Sequence, residues 1–269
     1  MAWRLGPKAL AGGYRLQAFE TIGSTNTEAL ARARRGDPGR LWIVSSAQTA
    51  GHGRRGRLWQ TPPGNLAASL LLIPHADEAA SATLGFAAGL ALDSAIRACV
   101  PMLAEGSPSP LRLKWPNDVL ADGAKVAGIL LEAATVPGSP KSIVIGIGVN
   151  VRHAPEGLPY PATSLSARGA EITAERLFEA LSDAWVEQDG LWDCGRGFSA
   201  IRERWLDRAA GLGGPIAVRV GEDVVRGTFE TIDEEGRLVV TGADGAARRI
   251  SAGEVHFGAA ATAELSHAR

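Results

Sequence analysis

Leu111–Ala133 reads LRLKWPNDVLADGAKVAGILLEA, and Ser142–Val151 follows as SIVIGIGVNV. Leu111 to Trp115 alternates apolar and polar residues with a period of two, as a half-buried strand does. Pro116-Asn117-Asp118 stops it. Ala121-Asp122-Gly123-Ala124 has the chemistry of a hairpin turn and leads into a second strand from Lys125. Ser142–Val151 supplies a third. Three successive strands on short links depart from a strict β-α-β alternation. They predict a mixed or antiparallel sheet with helices on one side, an α/β (α+β) class.

Working outward, Phe19–Glu28 (FETIGSTNTE) reads as a strand running into a helix, with Thr25 and Glu28 at capping-box spacing. Trp42–Ala47 and Asn65–Ile73 are further strands. Ala79–Val100 is one long helix of little polarity; Asp93 and Arg97 inside it favour a buried helix over a membrane span. Ala174–Gln188 places Leu177, Leu181, Ala184 and Trp185 on one stripe, and a second helix covers Ser199–Ala210. Gly213-Gly214-Pro215 marks a domain boundary. Beyond it lie five short strand candidates, Ile216–Val220, Val224–Ile232, Arg237–Thr241, Ala246–Ile250 and Val255–Phe257. The expected organisation is a large domain over residues 1–213, a small β-barrel over 214–258 and a frayed tail over 259–269.

Composition narrows the class. Hydrophobic residues make up 45% of the 269 and the net charge is −1, so the chain is neither disordered nor enveloped in a positive field that would hold nucleic acid nonspecifically. The 33 glycines show no three-residue period, which excludes collagen. Cys99 and Cys194 lack CxxC partners, as in a reducing cytosol, and Gly and Pro interrupt the N-terminal segment before a signal-peptide core builds up. The expectation is a soluble cytoplasmic protein. Of 28 basic residues only four are Lys, and three of these, Lys114, Lys125 and Lys141, cluster in sequence.

Two segments carry chemistry. Gln48–Arg57 (QTAGHGRRGR) combines glycines that expose backbone N–H groups with forked guanidinium donors. It has almost nothing apolar to bury, so it reads as an exposed, mobile loop unless a ligand orders it. An anion is its natural ligand; a solvated basic loop meeting nucleic acid is the plainer alternative. It is not a Walker A loop. Trp59, just beyond, is either a core anchor or a stacking platform. Lys114-Trp-Pro-Asn-Asp118 delivers a cation, an amide and a carboxylate at one strand end, and Lys125 can reach back toward them across the turn. Asp118 could hold Mg²⁺ or a hydroxyl and Asn117 could donate to an oxygen; surface and turn residues are the plainer reading. Gly146 and Gly148 strip side chains from a strand and point to something packed close against it, a ligand or a helix. Asn150 ends that strand. The five histidines show no metal-ligand spacing, and no GxSxG or nucleophilic triad is present.

Together, Ser24-Thr25-Asn26, Gln48–Trp59, Lys114–Asp118, Lys125–Glu132 and Gly146–Asn150 resemble the biotin protein ligases, in the family's order and at about its spacing, across Phe19–Phe257. The resemblance implies a mixed-sheet biotin/lipoate ligase-like catalytic domain followed by a small SH3-like β-barrel. It implies an ATP-dependent ligase that forms biotinyl-5'-AMP with release of pyrophosphate and then biotinylates one lysine of a carboxyl carrier domain. By the same resemblance Ser24, Thr25, Asn26 and Gln48 line the biotin pocket with Gly128, and Gly51, His52, Gly53 and Arg54 fold over it. Arg54, Arg57, Trp59, Lys114, Asn117, Asp118, Lys125 and Asn150 serve ATP and the adenylate, Trp59 covering the adenine. Lys125, Arg54 and Asp118 are the implied catalytic residues, with Asp118 the metal residue for Mg²⁺ that arrives with ATP. Biotin is a substrate, and no tightly bound prosthetic group is expected. The implied partners are biotin, ATP and a biotin carboxyl carrier protein, with neither DNA nor membrane; a homodimer is compatible with the family.

Position 52 is His where the best-known member has Arg, a departure expected to leave activity intact. Three rivals stay open: a lipoate ligase of the same superfamily, an RNA-binding module and a ligase reduced to a biotin-binding regulator. Some family members carry a DNA-binding helix-turn-helix ahead of the catalytic domain. With Ser24-Thr25-Asn26 so near the first residue, the expectation is a ligase without repressor function. An electrophoretic mobility assay should show no sequence-specific binding to a biotin-operon operator; a specific shift would sink that expectation.

Overall fold

The computed structural model describes residues 2–106, 108–135, 138 and 140–257. The expected tail, residues 259–269, lies outside the described residues, as does residue 258. After α1 (Pro7–Ala11), the chain alternates β1 (Arg15–Ile22), α2 (Thr25–Arg34), β2 (Leu41–Gln48) and β3 (Leu66–Leu72). Then come α3 (Glu78–Ala82), α4 (Leu84–Cys99), the strands β4 (Leu111–Lys114), β5 (Asp118–Ala121), β6 (Ala124–Ala134) and β7 (Ser142–Val149), and the helices α5 (Ala174–Trp192) and α6 (Phe198–Leu206). The first seven strands form one sheet in the order β1-β2-β3-β7-β6-β5-β4. Only β1 and β2 run parallel; the other pairs are antiparallel. Of the mixed or antiparallel sheet expected, the mixed form is found; the expectation of helices on one side is corrected, since α4 and α5 cover one face and α2 the other.

The central strands carry almost nothing polar because both faces are covered. On β7, Ile143, Ile145, Ile147 and Val149 face the helical layer, where α4 and α5 bring Leu90, Phe178 and Trp185. On the other face, Val144 packs with Leu71 of β3 and with Ala29 and Ala33 of α2. Gly146 and Gly148 continue that second face, Gly146 beneath the first turn of α2 and Gly148 beyond it.

The later helices keep their expected places with shifted ends, α5 running on to Trp192 and α6 stopping at Leu206; two earlier features differ more. The apolar stretch 79–100 is two helices, α3 and α4, broken at Thr83. The Thr83 hydroxyl donates to the Ala80 carbonyl at 2.6 Å and accepts the Trp192 indole N–H at 2.8 Å. Glu78–Cys99 is long and apolar enough to cross a bilayer, but 72% of its most apolar window is buried inside the protein. In α2 the cap is Ser24 rather than Thr25. Ser24 is extended (φ −155°, ψ 133°) and its hydroxyl accepts the Thr27 N–H at 3.4 Å. Thr25 is committed elsewhere, and Glu28 pairs with Arg32 at 2.6 Å instead of closing a capping box.

The C-terminal strands β8 (Pro215–Val220), β9 (Asp223–Ile232), β10 (Leu238–Thr241), β11 (Ala247–Ile250) and β12 (Glu254–Phe257) correct the expectation of a barrel. They form an open antiparallel sheet in the order β11-β10-β9-β8-β12. Although consecutive in the chain, β11 and β12 sit on opposite edges, and no ladder joins them among the described residues. The face a barrel would enclose is used differently. Ile216, Val218, Phe229 and Leu238 belong to the same continuous core as Phe86 and Trp205 of the helices. Polar ties reinforce that packing: the Trp115 indole N–H donates to the Gly236 carbonyl at 3.2 Å, and Arg202 donates to the Ile232 carbonyl at 2.8 Å.

Phe178 is fully buried, with the edges of Trp3 and Trp42 at 5.8 and 5.5 Å and interplanar angles of 78° and 83°. Removing its ring leaves a cavity that two rigid indoles cannot refill. Phe178→Ala should therefore lose about 3–5 kcal/mol of stability in urea unfolding.

Candidate active site

A cavity of about 680 Å³ opens on the face of the large sheet that α2 leaves bare. That size suits a small ligand. Its floor is set by the two glycines of β7. A Cβ at Gly146 would lie 2.3 Å from the Asn26 side chain, and one at Gly148 would lie 2.3 Å from the Trp59 indole. The close packing read from these glycines is thus an asparagine of α2 and the tryptophan beyond the Arg-rich segment, two residues apart on one face.

One part of the cavity is a neutral hydrogen-bonding nook at the start of α2. Gln48, at the end of β2, accepts from the Thr25 backbone N–H at 2.8 Å and from the Thr25 hydroxyl at 3.1 Å; its amide donates to the Thr61 hydroxyl at 3.0 Å. Ser69 of β3 lies 2.8 Å from the Thr25 hydroxyl and also contacts Asn26 Oδ1. Asn26 in turn donates to Glu132 of β6 at 2.7 Å. Ser24, Thr25, Asn26 and Ser69 are all buried. Preformed, internally satisfied polar side chains hold their geometry for an incoming ligand.

The other part is cationic. The strand end of β4 and the turn after it present Lys114, Asn117 and Asp118, and β6 brings Lys125 beside them: Lys125 Nζ lies 2.6 Å from Asp118 Oδ1 and 5.5 Å from the centre of the Trp59 ring. Residues 51–59 fold across this part. Trp59 N–H donates to the Gly51 carbonyl at 2.9 Å and Gly53 N–H to the Arg57 carbonyl at 2.7 Å, and a short 3₁₀ turn, Arg54–Gly56, lies between. From it Arg54 donates to Asn117 Oδ1 at 3.1 Å, and His52 Nε2 lies 3.3 Å from Glu132 Oε2. The segment read as a mobile loop is thus folded against the cavity by contacts to β6 and to the turn after β4.

Arg54 and Lys114 form no ion pair with a carboxylate among the described residues. Burial is the main force lowering the proton affinity of both; the charge of Arg55 adds to it for Arg54, and Lys125 does so for Lys114, against the pull of Asp118. Two partly desolvated cations without counter-ions are what an anion site requires before its ligand arrives. No group of three His, Cys, Asp or Glu side chains that could hold a metal occurs among the described residues. Asp118 is the carboxylate that a metal bridging to a ligand's phosphates could use.

Of the residues singled out from sequence, Gly51 and Asn150 are not in the cavity wall; the others are. Gly51 is buried beneath Trp59, where a Cβ would meet the Trp59 carbonyl at 2.4 Å. Asn150 donates to the Thr163 carbonyl at 3.1 Å, and Thr163 N–H bonds the Lys125 carbonyl. Asn150 thus steadies the segment that carries Tyr160, whose ring lies 5.7 Å from Lys125 Nζ. Sequence reasoning passed over Tyr160, Ser69, Glu132 and Glu254. Pro159-Tyr160-Pro161 signals a fixed aromatic, and Ser69 is the one hydroxyl within an apolar strand; nothing local marks Glu254.

Comparison with known proteins agrees with this geometry. Residues 18–150 match the Biotin/lipoate A/B protein ligase family, and residues 211–258 match the Biotin protein ligase C terminal domain. The chain is 41% identical over 241 residues to a biotin–[acetyl-CoA-carboxylase] ligase of Paracoccus denitrificans, covering 87% of this chain and 97% of that one. The chain belongs to the biotin protein ligase family. A Mycobacterium tuberculosis ligase of the same name is 34% identical, with 91% and 90% of the two chains covered. The crystallised biotin protein ligase of Aquifex aeolicus, in complex with biotin and ATP, superposes with a TM-score of 0.75 at 25% identity, over 90% of this chain and 97% of that one.

Within this ligase, Arg57 forms a two-pronged pair with Glu254 of β12, at 2.8 and 3.0 Å, tying the Arg-rich segment to the C-terminal sheet. The Arg57 hydrogen bonds hold the Glu254 carboxyl down at about 2, below its ordinary value of 4.5. A depressed carboxylate contributes stability above its unfolded value and loses it as pH falls through its folded value. Glu254→Gln should therefore destabilise the protein at neutral pH by about 1 kcal/mol or less, since the pair is partly exposed. Denaturant titrations at stepped pH should show that deficit shrinking below about pH 4.5 and vanishing near 2.

Proposed function

We propose the following division of labour among the residues of this biotin protein ligase. The enzyme activates biotin with ATP and transfers it to a protein lysine. In the first step the biotin carboxylate attacks the α-phosphorus of ATP and pyrophosphate leaves; in the second the lysine amine attacks the acyl carbon and AMP leaves. The observation that carries the residue assignment is the division of one cavity into a neutral nook and a cationic part with uncompensated charge.

The nook of Ser24, Thr25, Asn26 and Gln48 takes the ureido ring, which needs donors and acceptors at fixed positions. Lipoate offers only a dithiolane there, which cannot return the hydrogen bonds that these fixed groups present. Arg54 faces first the carboxylate and then the phosphate, relieving the repulsion between two anions that must approach each other. Lys125 sits where charge develops as pyrophosphate leaves, exchanging its Asp118 partner for the phosphate. Trp59 and Gly128 bound the space for the adenylate, with Trp59 against the adenine. The folded segment Gly51–Arg57 keeps water from the mixed anhydride.

Asp118 and Asn117 serve the nucleotide end. Mg²⁺ brought by ATP would be held by Asp118 together with the phosphates, the usual mode for a cation that keeps most of its water, and would neutralise phosphate charge. Once Lys125 turns to phosphate, Asp118 is free to orient the acceptor amine. The acceptor is a biotin carboxyl carrier domain, and the unpaired Cys99 and Cys194 suit a cytoplasmic setting. The domain division near Gly213–Pro215 separates the catalytic part from the C-terminal sheet, and homodimerisation is part of the same reading.

The test is ATP-dependent pyrophosphate release with biotin and lipoate offered separately, with mass spectrometry of a carboxyl carrier domain and a lipoyl domain. Biotinyl transfer to the carrier is expected; a lipoyl adduct alone would overturn the assignment of the nook. Lys125→Ala should slow adenylate formation by about 100-fold or more while the thermal transition is kept. Arg54→Ala should form the adenylate but leak it to solvent. Unchanged biotinylation in both variants would remove these roles.

A further inference from the structure

Glu132 is not in the wall of the cavity, yet one of its oxygens touches both halves of the site. Oε2 accepts from Asn26 Nδ2 at 2.7 Å and lies 3.3 Å from His52 Nε2. Asn26 is buried against β7 and bonded to Ser69, so it has no freedom to follow a moving partner. His52 belongs to the segment that folds across the cavity. Both members of the His52–Glu132 pair keep about 30% of their side-chain surface. From outside its own segment, Glu132 is the one charged group in hydrogen-bond or ion-pair contact with His52 among the described residues. Within the segment, Arg54 is aimed at Asn117 and Arg57 at Glu254.

We propose that Glu132 is a positioning residue that clasps the folded segment to the floor of the biotin nook, through His52 on one side and Asn26 on the other, so that retention of the adenylate weakens when the His52–Glu132 contact is lost. The proposal rests on the adenylate-handling reading above. Asn26 keeps its bond to Glu132 whether or not His52 is in contact, so the nook persists when the cover alone loosens.

The test uses preformed biotinyl-5'-AMP and the full chain, with dissociation rates measured by stopped flow. His52→Ala and Glu132→Gln should each release the adenylate about two- to fivefold faster, the worth of one partly exposed pair. The double variant should be no faster than the quicker single one, because both changes remove the same contact. His52→Arg, which keeps a donor toward Glu132, should release it as slowly as the wild type. Glu132→Gln still accepts from Asn26, so its fold is kept, and a thermal transition verifies this. Wild-type release rates in both single variants, or additive effects in the double, overturn the clasp. Failure of the wild type to bind the adenylate at all would instead overturn the underlying reading, and the clasp with it.

Discussion

The cavity depends on the absence of two side chains. β7 is apolar on the helical side, and its opposite face would be equally well filled by Val or Ile at positions 146 and 148. Any Cβ there would collide with Asn26 or with the Trp59 indole. Bare backbone lets α2 bring its first turn against the sheet and lets the Trp59 indole pack directly on it. The nook and the cationic part are then neighbours on one face of one strand. A sheet stabilised in the ordinary way would have no room for a ligand that spans both.

Around that space the charges are left unbalanced. Elsewhere in the molecule buried charge finds a partner: Asp93, fully buried, takes Arg97 at 2.8 Å and Arg208 at 3.2 Å. Arg54 and Lys114 are partly desolvated with no carboxylate in ion-pair contact, and burial weakens their hold on protons. Such groups cost stability in isolation and gain it when an anion enters. Lys125 is different because Asp118 already neutralises it. In the mechanism proposed above, that pair stores a cation at the site until phosphate displaces Asp118.

Much of this was legible from sequence because it is local. Period-two alternation marks Leu111–Trp115, and the Asp122-Gly123 turn is marked by two residues that both have positive φ. That turn joins β6 to β5 (Asp118–Ala121), a four-residue strand the sequence reading passed over because Pro116-Asn117-Asp118 read only as a stop. The glycines at 146 and 148 signalled close packing without naming the partner, since Asn26 and Trp59 reach them only through the sheet order. The errors are also informative. Thr25 has the right spacing for a cap, but its hydroxyl is engaged by Gln48 and Ser69, so Ser24 caps the helix. Thr83 looks compatible with an unbroken helix until Trp192 binds its hydroxyl from another helix. The barrel failed because five short strands with turns between them are compatible with closure or with an open sheet. What decides is whether the apolar face finds a partner elsewhere.

It does, and this changes what the C-terminal sheet is for. A closed barrel would keep its core to itself and could sit beside the catalytic part on a few contacts. An open sheet shares its apolar face with Phe86, Phe198 and Trp205, and its strand edge brings Glu254 to Arg57. Val255 and His256 of the same strand reach the cavity wall. The position of the Arg-rich segment therefore depends on a sheet more than 150 residues further along the chain. Removing that sheet would expose part of the common core and free Arg57 at once. The cover over the cavity is anchored at three separate points, Glu132 on β6, Asn117 after β4 and Glu254 on β12, and only the third belongs to the C-terminal sheet.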